Sequence, residues 1–294
     1  MEWGTGDPDS LFPARGLAPG MLPPVARRFV AGEEAATALE HARQLNDRSV
    51  GAILNLLGEH YADRGPADAD AAAYRRLVED VASADLRARV SVKPTQLGLA
   101  ADEEVFRENL GTVVEYADEH GVFVWVDMER PGTVEATLSA YETHARAGRA
   151  VGVCLQANLA RTPEDIDRLA DAGGTVRLVK GAYDPPAGEG YTDRDRVDEA
   201  YEACLERLFR SHDRVAVGSH DPAMLARAAT LHEEYGTPYE VQMLMGVRTD
   251  AQYDLAGRRE VWQYVPYGRR WLSYFYRRVT ERWENAAFAA RALV

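Results

Sequence analysis

Eight short apolar runs recur along this chain, and longer charged, alanine-rich segments separate them. The runs are Val50 to Leu57, Val90 to Lys93, Val122 to Asp127, Val151 to Gln156, Val176 to Lys180, Val215 to Gly218, Tyr239 to Leu244 and Val261 to Val265. Between them lie helix-like stretches such as Asp102 to Glu119, Thr133 to Ala147, Pro163 to Ala172, Asp193 to Arg210 and Pro222 to Tyr235. Strands that alternate with helices form a parallel sheet, and eight is the number that closes one into a barrel. The expectation is an α/β fold of the (βα)8 TIM type. Residues 1–45 read as an irregular, Pro- and Gly-rich lead and a short helical arm, and 46–294 as one barrel domain without an internal repeat or linker.

Several of the runs end in a polar residue suited to chemistry. Lys93, Asp127, Gln156 and Lys180 close their strands, and His220 lies just past its strand. In such barrels the C-terminal strand ends carry the active site, so these side chains are expected on one rim. Lys93 and Lys180 are the only lysines among 294 residues. A compact ammonium can titrate and address one spot, which a guanidinium does poorly. Lysine at a barrel strand end suits either a Schiff-base nucleophile or an electrostatic substrate contact, and the residues alone leave both open.

The net charge of -13 argues against a nucleic-acid partner, because no basic patch accompanies it. An acidic surface with little lysine suits high salt; a GC-rich genome accounts for the lysine deficit equally well, but not for the acidic excess. Cys154 and Cys204 make neither a disulfide framework nor a zinc pattern and read as small buried hydrophobes. The start, MEWGTGDPDS, is not a signal peptide, and no stretch approaches the roughly 20 apolar residues that span a bilayer. A cytoplasmic protein is expected. There is no G-x-G-x-x-G, no P-loop, no H-E-x-x-H and no G-x-S-x-G.

The last helix, within YGRRWLSYFYRRVTERWENAA, has Leu272, Phe275, Tyr276, Val279 and Trp283 at helical spacing, a packing face. Tyr274, Arg277, Arg278 and Glu281 share a second face. Spacing alone reads that face as solvated, with Arg277 and Glu281 an i,i+4 pair. The other reading is a carboxylate clamp of two adjacent guanidiniums.

Seven segments, in order, resemble proline dehydrogenases, both the monofunctional enzymes and the matching domain of the bifunctional ones. They are SVKPTQLGL at 91–99, WVDMERP at 125–131, GVCLQANLARTPEDIDRL at 152–169, RLVKGAYD at 177–184, VAVGSHDPAML at 215–225, YEVQMLMGVR at 239–248 and YVPYGRRWLSYFYRRVTER at 264–282. RLVKGAY and the Y-x-x-R-R-x-x-E helix are the specific ones. The resemblance implies a distorted (βα)8 barrel with its final helix over the barrel mouth, which turns the Arg277–Arg278 face inward. It implies FAD-dependent oxidation of L-proline to 1-pyrroline-5-carboxylate by hydride transfer from proline C5 to flavin N5.

By the same resemblance Arg277 and Arg278 bind the proline carboxylate, Tyr274 packs on its ring, and Tyr264, Leu178 and Tyr183 are further walls. Glu281 and Lys93 pair near the substrate, and Asp127 helps to hold the cations. Arg177 donates to flavin N5, while Gln156 and Met128 contact the ring. Lys180, Gly181 and Ala182 meet the flavin and its phosphates, and Ser219 and His220 its ribityl–adenine side. A membrane quinone is the implied electron acceptor, reached by peripheral docking at the inner face of the membrane, with a separate pyrroline-5-carboxylate dehydrogenase downstream. Departures are Pro94, Met245 and Ser219, where the family more often has an aliphatic, an aromatic and a threonine, and the acidic stretch 184–197. The competing readings are a Schiff-base lyase or aldolase on either lysine, a methylenetetrahydrofolate reductase, and a non-catalytic proline sensor.

Overall fold

A computed structural model describes residues 22–276. Eight parallel strands close in sequence order: β1 Gly51–Leu56, β2 Ala88–Val92, β3 Val124–Val126, β4 Val151–Gln156, β5 Thr175–Val179, β6 Val215–Gly218, β7 Tyr239–Leu244 and β8 Val261–Tyr267. β8 pairs back onto β1, Gly51 opposite Trp262 and Leu56 opposite Tyr267. The connecting helices are α2 Arg64–Ser83, α3 Glu103–Glu119, α4 Val134–Arg146, α5 Thr162–Ala170, α6 Arg194–Ser211, α7 Pro222–Tyr235 and α8 Thr249–Ala256, preceded by α1 Ala35–Asn46. The eight-stranded α/β barrel expected from the pattern is the observed fold.

Alternation along the strands divides each between two cores. Val90, Val92, Val124, Val126, Val153, Val176, Val215, Val217 and Val241 are buried in the layer shared with the helices. The side of a strand that helices cover is largely apolar, hence the recurring valines of the runs. Inside, Ile53, Trp125, Ala216 and Trp262 form a separate cluster. Two indole rings fit there because Gly51 and Gly152 lack side chains: a Cβ at either would lie 2.3 Å from the Trp262 ring or 2.5 Å from the Trp125 ring. This aromatic plug makes the interior a packed core rather than a pore.

β3 is shorter than the run Val122 to Asp127. The Val122 amide donates to the Ala117 carbonyl at 2.9 Å, past a left-handed Gly121, so this residue closes α3 instead of starting the strand. Asp127 still donates its amide to Val92 at 2.9 Å.

α1 buries Ala38, Leu39, Ala42 and Leu45 in the outer core, and His41 meets Gln263 of β8 at 2.7 Å. It covers the seam where β8 meets β1, the place that a helix after β8 would otherwise take. The last helix is thereby free to start at the rim. Its described residues, 271–276, begin beside the end of β1, where Trp271 and Tyr274 pack with Leu22, Ala26, Phe29, Val30 and Leu57. Spacing alone is corrected at two positions: Tyr276, assigned to the packing face, is 57% exposed, and Tyr274, on the face that spacing alone read as solvated, is buried. Only the rim beneath the helix decides which side is inside. Arg277, Arg278 and Glu281 lie outside the described residues.

Candidate active site

Inward alternation places Ser91 and Lys93 of the β2 end, Asp127 after β3, Arg177 of β5, Gln242 of β7 and Tyr264 of β8 in the upper half of the barrel. Ser91, Lys93, Arg177 and Tyr264 converge on the Asp127 carboxylate, and Gln242 bonds Arg177. Asp127 Oδ1 accepts from Ser91 Oγ at 2.8 Å and from the Arg177 guanidinium; Oδ2 accepts from Tyr264 Oη at 2.7 Å and Lys93 Nζ at 3.1 Å. The lone pairs of the carboxylate are filled by four donors, two of them cationic. Below, the Arg177 guanidinium lies 4.8 Å from the centroid of the Trp125 ring.

Electrostatics holds each of these groups in one protonation state. Burial by itself raises the Asp127 pKa, but Lys93 and Arg177, with the Tyr264 and Ser91 hydroxyls, overcome it and bring the carboxyl down to about 2. Burial works to lower Lys93, but Asp127, Tyr264, Tyr183 and Glu129 together outweigh it, leaving the ammonium well above the ordinary lysine range. Burial and then Asp127 push the Tyr264 phenol well up, so it stays a neutral donor. A lysine locked as ammonium is a poor Schiff-base nucleophile. The ion pair with Asp127 at 3.1 Å makes Lys93 a fixed charge of this junction.

Lys180, one residue past β5, belongs to a second cluster. Its ammonium pairs with Asp198 of α6 and, at 2.8 Å, with Asp221. Burial tends to lower its pKa, and the hydrogen bonds to the two carboxylates raise it overall. Asp221 also caps α7 by accepting from the Ala223 amide at 2.9 Å, and its own amide donates to Ser219 Oγ at 3.1 Å. His220 Nε2 accepts from the Leu244 amide at 3.0 Å. Gly181 has φ +120, and a Cβ there would meet Asn158 Oδ1 at 2.0 Å, so only glycine fits this turn. Gln156 lies between the clusters, donating to the Glu129 carbonyl at 2.9 Å and accepting from the Ala182 amide at 3.4 Å. Met128, next to Asp127, is buried, and Tyr183 and Ala182 sit at the open edge.

Of the residues singled out in the sequence, Lys93, Asp127, Arg177 and Tyr264 are brought into direct contact. Lys180, Ser219 and His220 gather on the neighbouring arc of the rim, with Gly181, Ala182 and Gln156 beside them. Leu178 is corrected: Arg177 faces inward, so alternation turns the fully buried Leu178 toward the surrounding helices, where Tyr201 of α6 donates to its carbonyl. It is no wall of the barrel mouth. Among the described residues the carboxylate that meets Lys93 is Asp127. Sequence reasoning missed Ser91, Gln242, Glu240 and Asn158. The signal was available, since counting back two residues from Lys93 and Leu244 gives the inward positions Ser91 and Gln242.

Asn158 Oδ1 is buried with no hydrogen-bond partner, and the backbone turn at Gly181 passes against it. A ligand bearing hydroxyl or N–H donors and anionic groups fits this arc: Asn158 offers an acceptor, the bare Gly181 backbone allows close approach, and Lys180 supplies charge. Glu59, His60 and Glu129 also bring ligand-type atoms within 4.8 Å of one another. Both Glu129 oxygens are, however, engaged by Thr95, each at 2.7 Å, which makes the group a staple between loops. Among the described residues no helix is long and apolar enough to cross a membrane.

Residues 38–291 match the family described as proline dehydrogenase. Proline dehydrogenase 1 of Bacillus subtilis is 34% identical over 275 residues, which is 92% of this chain and 90% of the relative. Proline dehydrogenase of Deinococcus radiodurans is 32% identical over 279 residues, with coverage of 92% and 90%. Among solved structures, proline utilization A from Bdellovibrio bacteriovorus, inactivated by N-propargylglycine, superposes with a TM-score of 0.79 at 24% identity. That match covers 86% of this chain and 32% of the larger protein, and it shows the common barrel. A chain matched over nearly its whole length by these relatives, with a barrel to suit, is an oxidoreductase that belongs to the proline dehydrogenase family.

Proposed function

We propose that this chain oxidises L-proline to 1-pyrroline-5-carboxylate with bound FAD, as the first step of proline catabolism, and passes the electrons to a quinone. The observation that carries the reading is the Asp127 junction, where two cations and a neutral phenol are fixed side by side at the barrel mouth. Bound across the Lys180 arc, FAD would supply a two-electron acceptor whose N5 suits a hydride from proline C5. Arg177, Met128 and Gln156 would hold its ring system, Lys180, Gly181 and Ala182 its phosphate end, and Ser219 and His220 its ribityl–adenine side.

The chain's own residues bind and orient. Arg277 and Arg278 grip the proline carboxylate, Tyr274 packs on the ring, and Tyr264 and Tyr183 wall the site. Lys93 and Glu281 stand near the substrate. Holding the ring in one pose replaces a random encounter by a near-attack geometry. The permanent charges of Lys93 and Arg177 also disfavour a protonated amine, which frees the nitrogen lone pair that assists loss of hydrogen from C5. The product leaves for a separate dehydrogenase. We place the enzyme in the cytoplasm, docking transiently at the membrane to reach its acceptor.

The test is an anaerobic titration of the purified protein with L-proline and, in parallel, D-proline. A yellow protein bleached by L-proline and far less by D-proline is expected. A colourless protein, or a flavin that proline leaves oxidised, overturns the proposal.

A further inference from the structure

Beneath Arg177 a buried polar relay runs down the barrel axis. Gln242 and Glu240 sit two residues apart on β7, both facing inward, 4% and 0% exposed. Glu240 Oε1 accepts from Arg89 at 2.6 Å and from Gln242 Nε2 at 2.7 Å, and Oε2 accepts from Arg214 at 2.9 Å. Arg214 continues to Glu260 at the opposite face of the barrel. Gln242 Oε1 in turn accepts from the Arg177 guanidinium at 3.0 Å.

We propose that Gln242, oriented by Glu240, is a positioning residue that sets the pose of Arg177 and preserves the net positive charge of the site. A carboxylate only accepts and a guanidinium only donates, so the amide between them must turn its NH2 to Glu240 and its oxygen to Arg177. Glu240 thus removes the choice of amide orientation. Asp127 grips another nitrogen of the same guanidinium from across the barrel, and the Trp125 ring lies against it. With partners on different strands, the guanidinium plane has no freedom to swing.

The amide also matters because it is uncharged. Among the described residues, Lys93 and Arg177 carry two positive charges against the single negative charge of Asp127. A carboxylate at position 242 would cancel the excess. A neutral adaptor leaves one unit of positive charge facing whatever becomes electron-rich at the mouth. This inference rests on the reading of Arg177 as the contact of flavin N5, since charge there favours the reduced flavin.

The experiment uses the FAD-loaded full chain with Gln242→Met, Gln242→Glu and Arg177→Met. Gln242→Met keeps the volume and removes both hydrogen bonds. It should slow flavin reduction at saturating L-proline about tenfold while changing the Kd for proline less than about twofold. The reduction equilibrium of the bound flavin should weaken by about tenfold, about 30 mV for a two-electron couple. Gln242→Glu faces Glu240 on its own strand and Arg177 of β5, with Arg89 of β2, Arg214 and Asp127 one bond beyond. Protonated, it reproduces the amide's donor and acceptor; ionised, it cancels the charge. Its midpoint potential should therefore match the wild type at low pH and fall below it as pH rises. Unchanged rate and potential in Gln242→Met, with Arg177→Met impaired, overturn the inference. If Arg177→Met is itself unaffected, the reading of Arg177 fails instead. Should Gln242→Met not hold FAD, Gln242→Glu decides alone, and a potential that tracks the wild type at every pH overturns the proposal.

Discussion

The chain's two lysines end in opposite circumstances. Lys93 is 15% exposed, and its partner Asp127 10%; Lys180 is 32% exposed, between Asp198 at 39% and Asp221 at 31%. The first ammonium is sealed into a junction whose partners come from four strands. The second is held by two carboxylates at an edge where solvent screens them and an anionic ligand can compete for it. Burial turns one ion pair into fixed architecture, and exposure leaves the other available for binding. Both residues follow their strands by one position, so the difference lies in which way each points.

The largest expected effect tests the sealed side. Asp127→Ala leaves Lys93 and Arg177 buried without their shared counter-charge and should cost about 3–5 kcal/mol of stability in urea unfolding. A loss below about 1 kcal/mol would place Asp127 in the same class as the surface pairs.

Acid should sharpen the contrast. The Asp127 pKa is depressed to about 2 in the folded chain, against about 3.9 when unfolded. A depressed carboxyl stabilises the fold above its unfolded pKa, and this contribution is lost as pH falls through the folded value. About 2.5 kcal/mol should therefore be present above pH ~5 and disappear toward pH ~2. Unfolding midpoints of the wild type and Asp127→Ala should converge over that window; parallel curves would mean that the junction does not titrate as described. The smallest effect is Lys180→Met, which should change stability by less than about 1 kcal/mol because its partners are solvated. Its consequence should appear instead as weaker retention of FAD on dilution, and equal retention would remove the lysine from the cofactor arc.

How much of this was legible beforehand varies by residue. The strand–helix series predicted the barrel, and Lys93, Asp127 and Lys180 stood out because each closes an apolar run. Arg177 and Tyr264 carried no signal of their own beyond the family motifs around them. Gln242 and Glu240 looked like ordinary polar positions within a strand. They become significant only when β7 stands opposite β5 and β2, a closure between residues 151 and 65 positions apart in sequence. Leu178 shows the converse: a motif neighbour of Arg177 reads as part of the site, yet the two-residue period of a strand sends it the other way.

The sequence by itself determined the architecture and its acidic, lysine-poor chemistry, because the helix-covered side of a parallel strand is largely apolar and a connecting helix must be amphipathic. Those are local requirements that each segment states in its own residues. Only the tertiary structure decided which side of a polar position faces the barrel, that four donors share one carboxylate, and that Tyr274 is buried while Tyr276 is exposed. Such facts depend on what lies across the barrel, and periodicity defines a face without naming its partner.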